Sequence, residues 1–179
     1  GSTASRVPIP GLEEVGYLTS DGALAQTHQP DSLIVLGGGP VAVELAQFFQ
    51  RLGTKVCLIQ RSQQILSDAD EDLARPLETR FREEGMELFT GTCLESVERN
   101  GDRKLVRFTQ GRREHSVAAE EILQALGRRP NVDGLNLGAA GVELEAGRVA
   151  VDAEMRTNQP HIFAVGDVKQ SIYSFQGAD

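Results

Sequence analysis

The 179-residue sequence has only two cysteines, no excess of basic residues and no apolar run longer than a strand. Cys57 lies in the apolar run Val56 to Ile59 and Cys93 in a mixed segment much further on, so the two form neither a CxxC pair nor a metal-ligand set. Both read as core or strand residues rather than redox centres. Eighteen Lys and Arg stand against 26 Asp and Glu, a net charge of -8, which excludes a nucleic-acid surface because phosphate neutralisation needs clustered cations. Any anion site must therefore be local. The lack of long apolar runs excludes a membrane-spanning helix, and Gly1 to Leu12 carries no apolar stretch behind a basic segment, so no secretory leader is expected and the default location is cytoplasmic. Internal repeats and low-complexity segments are missing too. What remains is ordinary for a globular chain, 40% hydrophobic and 25% charged residues, in a length suited to one well-buried domain with attached segments.

Val7-Pro8-Ile9-Pro10-Gly11 cannot continue a helix and reads as an extended linker. After it, Leu33-Ile34-Val35-Leu36 is a buried strand that stops at Gly37-Gly38-Gly39. Val41 to Leu52 places Val41, Leu45, Phe48 and Leu52 at helical spacing, with Gly53 as a C-cap, and Lys55 to Ile59 is a second apolar strand. Residues 33 to 59 thus have the length and order of a βαβ unit, which implies a parallel sheet. Asp70 to Glu84 reads as a further helix, with acidic residues at its start, Leu73, Leu77 and Phe81 on one face, and Gly85 at its end. Short alternating segments follow at Glu95 to Glu98, Lys104 to Thr109 and His115 to Ala118, separated by Asn100-Gly101 and Gln110-Gly111 turns, an antiparallel excursion. Glu121 to Leu126 is a third apolar segment that stops at Gly127-Arg128-Arg129-Pro130-Asn131, and Val149 to Val151 and Ile162 to Val165 read as two later short strands.

Gly37-Gly38-Gly39-Pro40-Val41-Ala42 fits the dinucleotide pattern G-x-G-x-x-G/A in the strand-turn-helix context such a pattern needs. Gly37 permits the tight turn, Gly39 lets a pyrophosphate approach the backbone, and Ala42 permits close helix-strand contact, while the helix N-terminus favours the phosphate charge. A ligand-free glycine turn is the plain alternative. The second strand ends in Gln60-Arg61-Ser62, where NAD-selective sites carry an acidic residue. Arg61 suits a 2′-phosphate through charge-assisted hydrogen bonds and Ser62 adds a donor, which favours NADPH over NADH; a solvated loop arginine is the alternative.

Leu33 to Ala46 resembles the nicotinamide-domain fingerprint of the pyridine nucleotide-disulphide oxidoreductases, the family of dihydrolipoamide dehydrogenase, glutathione reductase and mercuric reductase. Pro8-Ile9-Pro10-Gly11 resembles that family's crossover linker, Leu126 to Asn131 its GRxPN segment, and Thr157 to Asp167 its returning flavin motif. The resemblance implies a Rossmann-like α/β fold that binds FAD and NAD(P)H, with a central parallel sheet, an antiparallel excursion and flavin-domain segments at both ends. It divides the chain into a linker and flavin-domain remnant at residues 1–30, a nucleotide-binding domain at 31–147 and a returning flavin segment at 148–179. It gives Glu44 the nicotinamide carboxamide, Gly127 a backbone place beside the nucleotide and Asp167 the flavin ribityl chain, and it adds Leu94 to the cofactor-binding set. An exposed helix residue, a turn glycine and a strand-end cap are the plain readings of Glu44, Gly127 and Asp167.

Gln60-Arg61-Ser62 and Pro40 favour the mercuric reductase-like group. The family's redox cysteine pair, flavin fingerprint and interface domain are not in this chain, and His28, His115 and His161 match no catalytic position. The resemblance therefore implies a piece of a longer, homodimeric enzyme that moves a hydride from NADPH or NADH to FAD and on to a disulphide or metal ion. A nucleotide-binding module without catalysis, or a scaffold with a vestigial site, is the alternative. From Val168 to Asp179 the chain departs from the family and resembles a nucleotide-sensing motif of Rep-like helicases; no Walker A lysine motif accompanies it, so helicase activity is excluded.

Overall fold

The computed structural model of the chain describes residues 1–169, so most of the atypical tail lies outside the described residues. In chain order the strands are β1 (Ser2–Ala4), β2 (Ser32–Leu36), β3 (Lys55–Ile59), β4 (Glu87–Phe89), β5 (Thr92–Asn100), β6 (Arg103–Gln110), β7 (Arg113–Ala119), β8 (Glu121–Gln124), β9 (Arg128–Pro130), β10 (Leu144–Glu145) and β11 (Arg148–Val149). The helices are α1 (Leu12–Val15), α2 (Ser20–Leu24), α3 (Pro40–Arg51) and α4 (Glu71–Glu83). Two compact units result, one of Arg6–Gly127 and one of Gly1–Ser5 with the residues from Arg128 onward.

The larger unit is an α/β sandwich around a four-stranded parallel sheet in the order β4-β3-β2-β8. Numbered from β2, this is the 3-2-1-4 order of a mononucleotide-binding half, whose ligands sit beyond the carboxyl ends of the strands where the order reverses. Alternation explains the continuous apolar runs. Leu33, Val35, Val56, Leu58 and Leu123 face one core with Ala42, Ala46 and Phe49 of α3 and Ala74 and Phe81 of α4. Ile34, Leu36, Cys57, Ile59 and Ile122 face a second core with Val97, Val106, Phe108 and Ala119 of the antiparallel sheet β5-β6-β7. A strand covered on both faces needs apolar residues at every position, and each such side chain contributes about 1.5–3 kcal/mol of burial.

In both main helices the inward face overlaps the expected one at Val41, Leu45, Leu77 and Phe81 but is rotated away from Phe48, Leu52 and Leu73. In α3 the buried stripe is Ala42, Leu45, Ala46 and Phe49, while Phe48 and Leu52 are exposed. Val43 is buried as well, so the inward stripe mixes small and large side chains and is set by the helix's rotation about its axis, which carries Phe48 and Leu52 to the rim. In α4 likewise, Ala74 and Phe81 are buried and the neighbouring Leu73 is turned outward. The antiparallel strands are longer than the alternation alone indicates, and each hairpin loop is one residue later: Asn100 pairs with Arg103 and Gln110 with Arg113, leaving Gly101-Asp102 and Gly111-Arg112 as the loops.

In the smaller unit β1 pairs antiparallel with β9 and β10 with β11. The stretch after Gly127 is thus a strand rather than a stop, because Ser2–Ala4 supplies a ladder partner that lies far away in sequence. The later segments are shorter than expected. Arg148–Val149 is the only ladder of the first, and Ile162 to Val165 is no strand, with a single bridge from Phe163 to Arg156. Phe163 and Val165 stay exposed, and the backbone is satisfied by the short stretch around Arg156, the Thr157 N–H donating to the Ile162 carbonyl at 2.9 Å and the Ala164 N–H to the Met155 carbonyl at 3.0 Å.

Candidate functional site

The glycine turn joins the carboxyl end of β2 to the amino end of α3, and its three glycines sit in different surroundings. Gly37 has φ 119°, and a Cβ there would lie 2.4 Å from the Ala125 carbonyl oxygen, so turn and β8 end touch backbone to backbone. Gly38 lies against the Gln60 side chain, 2.9 Å from where its own Cβ would be. Gly39 is the N-cap of α3 in an extended conformation, φ -76°, ψ 179°, and a Cβ there would meet nothing within 4 Å. Pro40 occupies the first helical position and no side chain caps the helix. The first-turn amides, including those of Val41 and Ala42, have no partner within the helix, and the helix dipole adds positive potential there. Ala42 is fully buried against the sheet, which only a small residue allows.

The second group follows β3. Gln60 is buried, and its amide turns inward: Oε1 accepts the Arg61 N–H at 3.1 Å and Nε2 donates to the Gln64 carbonyl at 3.4 Å. Arg61 is exposed, and its guanidinium makes no ion pair or hydrogen bond among the described residues. The Ser62 carbonyl accepts the Gly91 N–H at 2.8 Å. Glycine turn and post-β3 loop are thus adjacent, as the pattern requires.

Glu44 is exposed on α3, one turn beyond the glycines. Leu94 lies on β5 at a register irregularity, packed against the core between the two sheets. Gly127, φ 128°, follows the Ala125 carbonyl that touches Gly37. Asp167 belongs to the smaller unit, where it is buried and accepts a hydrogen bond from Ser2 Oγ; Arg128 donates to that Oγ through Nε and to the Ser2 carbonyl through Nη2, each at 2.7 Å. Cys57 is buried in the second core, and burial, with Glu87 nearby, pushes its thiol up to about 12, which removes it from nucleophilic chemistry. Among the described residues no cluster of metal ligands exists and no helix is long and apolar enough to cross a membrane.

Sequence reasoning missed the segment between Ser62 and Asp70. It folds back on the glycine turn: the Leu66 N–H donates to the Gly38 carbonyl at 2.6 Å, and the Ile65 N–H to Glu78 Oε1 at 3.1 Å. Ile65 is fully buried and Leu66 adopts φ 48°. The apolar pair Ile65-Leu66 inside a polar loop was the available signal.

A glycine turn at the switch point of a 3-2-1-4 sheet, with an antiparallel layer and a second unit in the same chain, defines a class. The chain belongs to the pyridine nucleotide-disulphide oxidoreductase family, whose model matches residues 1–178. Among curated relatives it is 38% identical to a mercuric reductase of Bacillus cereus over 94% of this chain and 27% of that protein. It is 35% identical to a dihydrolipoyl dehydrogenase of Bacillus subtilis over 93% of this chain and 36% of that one. A solved structure, the Cu(II) complex of the HOCl-induced flavoprotein disulfide reductase RclA from Escherichia coli, superposes with TM-score 0.84 at 28% identity, covering 98% of this chain and 40% of that chain. The chain therefore spans about a third of the length of the curated relatives it matches.

Proposed function

We propose that this chain is the nicotinamide-dinucleotide-binding domain of a flavin-dependent oxidoreductase that prefers NADPH and delivers electrons to a disulphide or a metal ion. The observation that carries this reading is the open space over Gly39 at the uncapped head of α3, beside a turn closed by Gly37. Unpaired amides, helix dipole and room for a close backbone approach suit a pyrophosphate. Gly37, Gly38, Gly39, Pro40, Val41 and Ala42 form the phosphate cradle. Arg61 and Ser62 face the adenosine ribose, where the exposed, unpaired guanidinium of Arg61 supports a 2′-phosphate partner. Glu44 takes the carboxamide of the nicotinamide, and Leu94 and Gly127 flank the nucleotide. In the smaller unit the buried Asp167, held by Ser2, suits the hydroxyls of a flavin ribityl chain.

When bound, the reduced nicotinamide supplies a hydride and the flavin accepts it. This chain contributes binding, orientation and electrostatics. The nucleotide role falls to the larger unit, Arg6–Gly127, and the flavin role to the smaller one, in a cytoplasmic homodimer. The acceptor reading draws on relatives named mercuric reductase and dihydrolipoyl dehydrogenase.

Calorimetric titration with NADPH and NADH tests the site. A hydrogen bond to a charged group contributes about 1.5–3 kcal/mol, so Arg61→Ala should weaken NADPH roughly ten- to a hundredfold and leave NADH nearly unchanged. The NADPH preference should also shrink as salt rises. Equal losses for the two nucleotides would refute Arg61 as the 2′-phosphate contact, and no binding of either would refute the site.

A further inference from the structure

We infer that Gln60 governs the NADPH preference without touching the nucleotide, as a positioning residue that fastens the Arg61 loop to the glycine turn; this rests on the reading of Arg61 as the 2′-phosphate contact. Gln60 stands at the strand end where an NAD-selective site presents a carboxylate to the ribose. Here the amide is spent internally. Its oxygen accepts the N–H of Arg61 and its nitrogen donates to the Gln64 carbonyl. Both partners are main-chain groups with one polarity each, so the orientation of the amide is fixed by chemistry.

The residue is clamped on every side. Its own N–H donates to the Phe89 carbonyl at 2.8 Å, and its carbonyl accepts the Thr92 N–H at 3.2 Å and Thr92 Oγ1 at 2.9 Å. Its side-chain carbons lie against Gly38. The loop it holds returns to the same glycine through the Leu66 N–H, which donates to the Gly38 carbonyl at 2.6 Å. Leu66 keeps a left-handed conformation, φ 48°, of the kind that persists when its surroundings over-determine it.

Loop 61–66 and the phosphate turn therefore share one anchor. The consequence concerns Arg61. A long, rotamer-rich side chain binds a phosphate well only when its main chain is already ordered, since ordering it on binding subtracts from affinity. Gln60 fixes the Arg61 main-chain N–H directly, so the side chain is ordered on binding from a main chain already in place. The same clamp keeps a polar acceptor away from the ribose, which withholds the usual NADH contact.

The test is a double-mutant cycle by calorimetry with NADPH and NADH on the full chain, using Arg61→Ala, Gln60→Met and both together. Gln60→Met keeps the bulk against Gly38 and removes both amide hydrogen bonds; Gln60→Leu repeats the test with another shape. The expected result is a roughly tenfold loss for NADPH, at most about twofold for NADH, and no further loss when Gln60→Met is added to Arg61→Ala. Equal losses for both nucleotides, losses that multiply in the double variant, or failure of both Gln60 variants to fold would overturn the inference while leaving Arg61 in its role. If Arg61→Ala alone leaves the NADPH preference intact, the underlying reading of the site fails instead.

Discussion

Gly37 and Gly39 lie two residues apart in one turn, yet the structure assigns them opposite consequences. Gly37→Ala forces an alanine into φ 119° and drives its Cβ to 2.4 Å from the Ala125 oxygen and 2.9 Å from its carbonyl carbon. Neither obstacle can rotate away, because both are backbone. The backbone strain costs about 1–3 kcal/mol. Displacing the end of β8, whose Ala125 N–H donates to the Leu36 carbonyl at 2.9 Å, costs about as much again. A total of about 2–6 kcal/mol corresponds to a fall in Tm of roughly 5–20 °C for a chain of this size. Gly39→Ala behaves otherwise. Its φ and ψ are open to any residue and its Cβ meets nothing. The loss at an N-cap, about 0.5–1 kcal/mol, is offset by a similar gain from the less flexible unfolded chain, so Tm should stay within about 3 °C. Gly39→Val should fold equally well and lose nucleotide binding at least tenfold, since its side chain fills the space left for the pyrophosphate. Thermal unfolding with and without NADPH measures all three, the parent gaining about 2.7 kcal/mol at a hundredfold excess over Kd. A Gly37→Ala protein as stable as the parent, or a Gly39→Val protein that binds normally, would refute the geometry.

Two further outcomes follow from burial and charge. A thiol reagent at pH 8 should modify Cys93, which is exposed on β5, at once, and Cys57, whose thiol is pushed up to about 12, only on unfolding; two equally fast thiols would mean that the second core is not closed. At the α3–α4 contact, Arg51, with Gln47 and Arg80, holds the Glu84 carboxyl at about 2 instead of 4.5, against the opposing effect of burial. A depressed carboxyl stabilises the fold above the unfolded value and loses that contribution as pH falls from about 4.5 to 2. Urea unfolding of parent and Glu84→Gln at pH 7 and pH 3 should show the variant weaker at pH 7 and the difference shrinking at pH 3; an equal difference at both would exclude the pairing.

The continuous apolar runs Leu33–Leu36 and Val56–Ile59 and the glycines between them made the βαβ unit, the parallel sheet and the tight turn after β2 legible from residues alone. These features are local: a strand, a turn and a helix each write their period or their forbidden conformation into neighbouring positions. Tertiary structure decided what depends on distant partners. It buried Ala42, Ala46 and Ala74 and left Phe48, Leu52 and Leu73 exposed, because the rotation of each helix against the sheet, not hydrophobicity alone, sets which positions lie beneath. It made Arg128–Pro130 a strand by supplying Ser2–Ala4, and limited Ile162 to Val165 to a single antiparallel bridge with Arg156. It turned the Gln60 amide inward and folded Leu66 onto Gly38. The sequence by itself determined where the glycine turn must lie; only packing across the sheet ends decided which neighbours hold that turn in shape, because those hydrogen bonds join residues with no shared period.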